Sequence, residues 1–458
     1  MDFNSLLVSI VKIVAIVAYF YGLMWVLGRT AKWLKIVGVI VAFGIIQLAF
    51  TQFGTFKLLN DFDQGLLFQA TAMTMVALGL NLIYGFNGQF SLGQYGFYGI
   101  GAYVSADITY RWTNGSANGL FVVGFGVILT GAVFYGISRL LRKYQGIPVM
   151  SSFALYLIGI IIVGALAAYL GNLLNPVFAP LLGTNLKPGP ISQGVWLQLV
   201  FFLSVIFGGI FAAEISFVFG LPVLSLGSDY FGIATLGFTI VVNTLMNNSD
   251  TILHFTEMKG GRGMIGIPKL TTWFWAFLFL IAIIIVMRNL IQSSTGRTIL
   301  SVREDETAAK AMGVDVASTK LMAFVVGSLF AGIGGGIYAH FSGFLAPSTF
   351  DFLPGFNPLI IVVFGGLGSM SGTIAASYGW YFFLEGFLRV TLSKLGTDAP
   401  SWRYVLYPIA LLLVMLLRPQ GLLGSIEWGF LRTKKILPRL RRETTVAVPS
   451  NSASGTGD

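Results

Sequence analysis

The chain has 458 residues, of which 55% are apolar, 14% aromatic and only 10% charged, and its mean hydropathy is +0.82. A water-facing fold of that composition would expose large apolar patches, so a soluble globular protein is excluded and lipid is the solvent for most of the surface. The net charge of +10 falls in short blocks beside apolar runs, at 29–35, 139–143, 288–320 and 418–442, which is the positive-inside pattern of a membrane protein and no sign of a nucleic-acid partner.

About 20 apolar residues cross a hydrocarbon core. The first run, 6–27, follows an N-terminus that reads MDFNSLLVSIVKIV. An acid stands where a secretory signal carries basic residues, and no small-residue cleavage site follows, so the run reads as an uncleaved anchor. Further spans are predicted at 35–53, 66–84, 91–106, 120–138, 153–171, 195–213, 272–287 and 321–340. Placing all four basic blocks on the cytoplasmic side makes 35–53 exit and 66–84 enter. It also leaves 113–119 outside, after 91–106 exits and before 120–138 enters. Residues 153–171 then exit and 195–213 enter. The run 215–247 holds Pro222, Gly227, Ser228 and Asp229 and reads as a half-helix followed by a full one, with 248–271 outside. The run 355–393 must begin and end on the outer side, and GGLG at 365–368 breaks it into a re-entrant hairpin. A last apolar run covers 403–417. The expected fold is an all-α polytopic integral membrane protein of about 11 transmembrane helices with broken or re-entrant segments. It would be multi-pass in the plasma (inner) membrane with a cytoplasmic C-terminus.

Unwound backbone at membrane depth survives only where protein or a water-filled cavity satisfies its polar groups, so broken helices point to a path. The densest polar cluster is GLNLIYGFNGQFSLGQYGFYGIGAYVSA at 79–106, where Asn81, Asn87, Gln89, Ser91 and Gln94 sit among glycines and aromatics. Its G-x-x-G-x-x-G-x-G spacing from Gly93 to Gly101 also allows another helix to approach closely. Path lining and helix packing are both open, and they are compatible. The second cluster, GLPVLSLGSDYFGIATLGF at 220–238, adds Asp229, Tyr230 and Thr235 to the candidate path. An intramembrane carboxylate is a functional-site hypothesis by default, yet Asp229 could equally cap the next helix.

In TEMKGGRGMIGIP, 256–268, three glycines with Lys259 and Arg262 could form an anion-holding nest or simply a tight external loop. The fourth cluster is the inner loop GRTILSVREDETAAKAMGVDVASTK, 296–320. Residues 303–312 are good helix formers, and Gly313 suits the position just past a helix end. Ala308, Ala309 and Met312 would give that helix a small apolar patch to offer a soluble partner; the alternative is a solvated loop. Glu214 reads as interfacial, and Glu385 could pair with Arg389 at i+4.

There is no cysteine, and the two histidines, His254 and His340, are too few for a metal cluster. No G-x-x-x-x-G-K-[ST] phosphate loop, Ser/His/Asp set, carboxylate pair or H-E-x-x-H occurs. No catalytic residue, metal or cofactor is therefore assigned.

In order along the chain, GLNLIYGFNGQFSLGQYGFYGIGAY, GLPVLSLGSDYFGIATLGF, KGGRGMIGIP, GRTILSVREDETAAKAMGV, GGLGSMSGT and RPQGLLG resemble the permease subunits of branched-chain amino acid ABC importers, specifically the LivM type. The resemblance covers about 66–424. It implies a subunit beside a LivH-type second permease, two cytoplasmic ATP-binding subunits and an external solute-binding protein. ATP hydrolysis would belong to those partners, and leucine, isoleucine and valine would be the cargo. It implies a coupling loop at 303–313 with Arg303, Glu304, Glu306, Ala309 and Gly313. It divides the chain into an extension with two apolar spans (1–60), a permease domain (61–424) and a basic stretch with a disordered polar tail (425–458). Three departures stand out. Ala308, Ala309 and Gly313 fit the importer pattern E-A-A-x-x-x-G, but Thr307 takes the first position and the Glu lies at 306. Lys259 stands where the family's external loop has Thr. Residues 1–60 match none of the blocks. Permeases of this layout also serve urea, short amides and other amino acids, and an ion-coupled transporter with Asp229 in a relay is the rival from another class.

Overall fold

The computed structural model describes residues 3–431, apart from 29–31, 54–55, 58, 144–148, 185–186, 225–227, 253–256, 389–401 and scattered positions between 403 and 426. Most of the 403–417 run, the Arg389 partner of Glu385 and the tail after 431 lie outside the described residues. Fourteen α-helices are described: α1 (Phe3–Leu27), α2 (Lys32–Phe50), α3 (Asp61–Leu80), α4 (Gln94–Thr113), α5 (Asn118–Lys143), α6 (Val149–Leu182), α7 (Val195–Val223), α8 (Ser228–Asn247), α9 (Trp273–Gln292), α10 (Ser294–Glu304), α11 (Glu306–Ala311), α12 (Val316–Ser342), α13 (Phe356–Gly365) and α14 (Met370–Trp380). Both α3 and α14 continue as wider π turns, at 81–86 and 381–388. Among the described residues, nine helices are long and apolar enough to cross a bilayer. At 20 residues α4 also has the length to cross.

The centre is α3, whose apolar stretch is 94% buried, against 11% for α2 at the periphery. Around it, α4, α7 and α12 pack through glycines, because in lipid helices associate by close van der Waals contact and not by a hydrophobic drive. A Cβ built on Gly101 of α4 would lie 2.2 Å from the carbonyl oxygen of Gly332 in α12, and one on Gly335 would lie 2.0 Å from that of Tyr98. The Gly93–Gly101 spacing thus does meet neighbours closely. Gly93 and Gly96 lie against Thr235 and Phe238 of α8, and Gly101 lies against α12. Buried polar pairs add interhelical bonds: Thr71 of α3 to Tyr378 of α14 (2.9 Å), Ser105 of α4 to Ser204 of α7 (3.0 Å), and Thr109 of α4 to His340 of α12 (2.7 Å). The extra helix α1 joins the same core, with Phe20 stacked on Phe277 of α9 and tilted onto Tyr378. Lys12 of α1 also pairs with Asp63 of α3 at 2.6 Å.

Several expected boundaries change. The predicted half-helix at 215–223 is the end of α7, which runs unbroken from Val195 to Val223. No residue between 212 and 219 interrupts a helix, and Pro222 sits in the last turn, where it forfeits one i→i−4 hydrogen bond and the helix ends one residue later. The 303–312 helix is divided, since Asp305 is extended (φ −158°, ψ 110°) between α10 and α11. The break at 365–368 forms as expected. Gly366 and Gly368 take φ of 115° and 79°, and a Cβ on Gly365 would lie 2.5 Å from the Gly372 carbonyl, so α13 and α14 fold back closely on each other. With ten residues, α13 rises about 15 Å and cannot cross a bilayer alone.

A Cβ on Gly332 would lie 2.8 Å from Ala212 Cβ and 2.9 Å from Gly209 Cα of α7, so a Gly332→Leu substitution should push α7 and α12 apart and cost about 1–3 kcal/mol or more, read as a lowered unfolding temperature in detergent. Gly164→Ala on α6, where nothing lies within 4 Å of the added carbon, should leave the stability unchanged to within about 0.5 kcal/mol.

Candidate functional site: the breaks at 81–93 and 366–369 and the loop beside them

The site is built on two interruptions. At the end of α3 the chain widens, with Asn87 N–H donating to Leu82 O (3.2 Å) and Gln89 N–H to Ile83 O (3.0 Å). It then turns at Gly88 (φ 77°) and runs unwound to Gly93. The backbone freed at Leu92 is served by α8. Thr235 Oγ1 accepts from Leu92 N–H at 3.0 Å, and Thr239 Oγ1 donates to Leu92 O at 3.2 Å. Ser91 Oγ accepts from Gly93 N–H at 3.3 Å. Thr235 and Thr239 are four residues apart and so share one helix face, a spacing that could have revealed the pair.

The amides of the cluster divide into two kinds. Asn81 is fully engaged: Nδ2 donates to Ser369 O and Thr373 Oγ1, both at 2.9 Å, and Oδ1 accepts from Gly368 N–H at 2.9 Å. Its amide pins the 366–369 turn and has both N–H groups spent. Asn87 donates to Gln89 Oε1 at 2.7 Å, but its own Oδ1 is buried without a partner, as are both Oε1 and Nε2 of Gln94, among the described residues. Asn87 and Gln94 are each 2% exposed. Such groups are costly in an apolar interior unless something completes them.

The 366–369 turn is held from a second side that sequence reasoning did not identify. Glu427 accepts from Met370 N–H (2.7 Å), Ser371 N–H (3.1 Å) and the Ser371 hydroxyl, which neutralises orphan donors at the start of α14. Burial raises its carboxyl above the ordinary range, while those donors pull the other way. Leu422 N–H donates to Phe364 O at 2.8 Å and Leu423 N–H to Gly365 O at 3.4 Å. The RPQGLLG segment is thereby laced onto the end of α13. No periodicity or motif marked Glu427.

The expected coupling residues are close by. Asp305 caps α11, accepting from Thr307 N–H (2.8 Å) and Ala308 N–H (3.0 Å). Arg303 and Glu304 end α10 and are exposed. Glu306 is exposed but ion-paired with Lys320 of α12. Ala309, expected in the apolar patch, is only 4% exposed and packs inward. Gly313 (φ 83°) turns the chain into α12 with open space around it. Met312 is 85% exposed, the most exposed large apolar side chain among the described residues.

The remaining candidates lie apart. Asp229 is the second residue of α8, with its side chain outside the described set, and Tyr230 beside it is 67% exposed. In the 259–263 loop the N–H groups of Arg262 and Gly263 donate to Lys259 O and Gly260 O, so they are spent within a tight turn. Asp250 Oδ1 lies 2.5 Å from where a Cβ on Gly260 would stand, which adds a negative charge where an anion would sit.

A family model described as "Branched-chain amino acid transport system / permease component" matches residues 64–176 and 140–415. The LivM high-affinity branched-chain amino acid transport system permease protein of Escherichia coli (strain K12) is 32% identical over 250 residues, covering 47% of this chain and 55% of the relative. A probable LivM permease of Methanocaldococcus jannaschii is 24% identical over 327 residues, 65% of this chain and 92% of that relative. A Salmonella typhimurium LivH permease is 27% identical over 157 residues, 34% of this chain and 47% of its own length. The chain thus spans about half the length of the E. coli relative. No solved structure matches. Matched from residue 64 to 415, across both breaks and the loop between them, the chain belongs to the permease-component family of branched-chain amino acid transport systems.

Proposed function

We propose that the chain is one transmembrane half of an ATP-driven importer of leucine, isoleucine and valine. A LivH-type permease would supply the other half, two cytoplasmic subunits the ATP hydrolysis, and an external binding protein the cargo. The chain itself would catalyse nothing. What supports this most directly is the loop after α10. A capped six-residue helix stands in solvent with Met312 exposed, on a chain without a nucleotide motif of its own. An exposed, deformable thioether beside charges fits a docking contact for a soluble partner. On this reading 303–313, and with it the C-terminus, would lie on the cytoplasmic side. The path is then read past 87–94, where Asn87 Oδ1 and both polar atoms of Gln94 are free to meet the charged ends of a passing amino acid.

Two substitutions test the two ends. Met312→Asp should leave the permease as stable as before, because the side chain is exposed. It should weaken ATPase co-purification by about tenfold or more; unchanged co-purification would mean that the partner docks elsewhere. Gln94→Met removes an amide that makes no internal bond, so the unfolding temperature should hold or rise slightly. Uptake of labelled leucine should nevertheless fall by about tenfold, the loss of one hydrogen bond to a charged group. Uptake at the original rate would remove Gln94 from the path.

A further inference from the structure

We propose that Arg303 is a positioning residue that carries movement of the docking loop into both helix breaks. The inference rests on the docking reading of 303–313 and adds to it how motion would leave that loop. Arg303 is in the last turn of α10, two residues before α11, with the extended Asp305 between the helices. Its stem lies on the first break. A Cβ on Gly88 would come within 3.4 Å of Arg303 Cγ and 3.5 Å of its Cα. Its head lies on the second break, where a Cβ on Gly368 would come within 2.9 Å of Nη1. Gly88 and Gly368 both have left-handed φ, 77° and 79°; a Cβ on Gly88 would only touch the stem, whereas one on Gly368 would crowd the guanidinium.

The two breaks behave as one body, because Asn81 at the end of α3 holds Gly368, Ser369 and Thr373 by three hydrogen bonds. Glu427 and the 422–423 backbone hold the same turn from another side. Arg303 also lines a cavity of about 550 Å³ with Phe86, Leu367, Gln420 and Glu427. The head therefore has room to move as α10 tilts. A stem on one glycine and a planar head on the other need the length and shape of arginine together, which lysine reproduces only in its stem and charge.

The test uses the full chain assembled with its second permease, ATPases and binding protein in proteoliposomes. In the complexes that form, Arg303→Ala should lower the leucine delivered per ATP hydrolysed by about tenfold; Arg303→Lys should recover part of that ratio. Gly368→Ala should also lower the ratio, and combining it with Arg303→Ala should add little, since both cut the same contact. An unchanged ratio in Arg303→Ala, or losses that simply add in the double variant, would overturn the proposal. Loss of co-purification in Arg303→Ala would make the residue a docking contact instead. Failure of the unmodified chain to retain any ATPase would remove the docking reading itself, and this inference with it.

Discussion

Inside a bilayer, a backbone N–H or C=O that leaves its helix must find a partner or pay several kcal/mol. That constraint organises this molecule. Where the chain unwinds at 87–93, Leu92 is bonded at both its N–H and its C=O by the threonines of α8. Where α13 and α14 meet, the turn is bonded by Asn81 from α3 and by Glu427 from the C-terminal segment. Each break exists because side chains remote in sequence complete it, so each break also ties distant parts of the chain together.

The ties converge. Asn81 comes from the first polar cluster, Thr235 from the second, Arg303 from the inner loop, Gly368 from GGLGSMSGT and Leu422 from RPQGLLG. Five of the six segments that carry the family resemblance thus meet around two interruptions. Glycine makes the convergence possible. Gly85 is the sharpest instance, since a Cβ there would strike Asn81 Oδ1 at 1.8 Å and Gly368 N at 2.4 Å. The result is a rigid knot with two buried amides, Asn87 and Gln94, left incompletely bonded at its edge. A satisfied scaffold around a few unsatisfied groups is what a passage for polar cargo requires.

Apolar run length was enough to place α1, α2, α3, α5, α9 and α12, because lipid demands long apolar helices and little else. Glycine spacing read the close approach of α4 to α8 and α12, and GGLG read the break at 366–369. The assignments that changed were those that depended on tertiary partners. Asn81 looked the same as Asn87 in sequence, yet one is a pin with both N–H groups spent and the other keeps a free acceptor. Asp305 was read as part of the 303–312 helix and not as the cap that splits it. Ala309 was indistinguishable from Ala308 until the fold buried it. Glu427 carried no local signal at all, since its role is fixed only when α14 begins beside it.

In the proposed importer the energy source would lie outside the chain and act at 303–313. The most direct measurement is leucine uptake by the assembled complex in proteoliposomes, with ATP supplied on the side of that loop or with a proton gradient as the sole energy source. The expected result is uptake that requires ATP and survives collapse of the gradient. Uptake that persists without ATP and stops when the gradient is collapsed would contradict it.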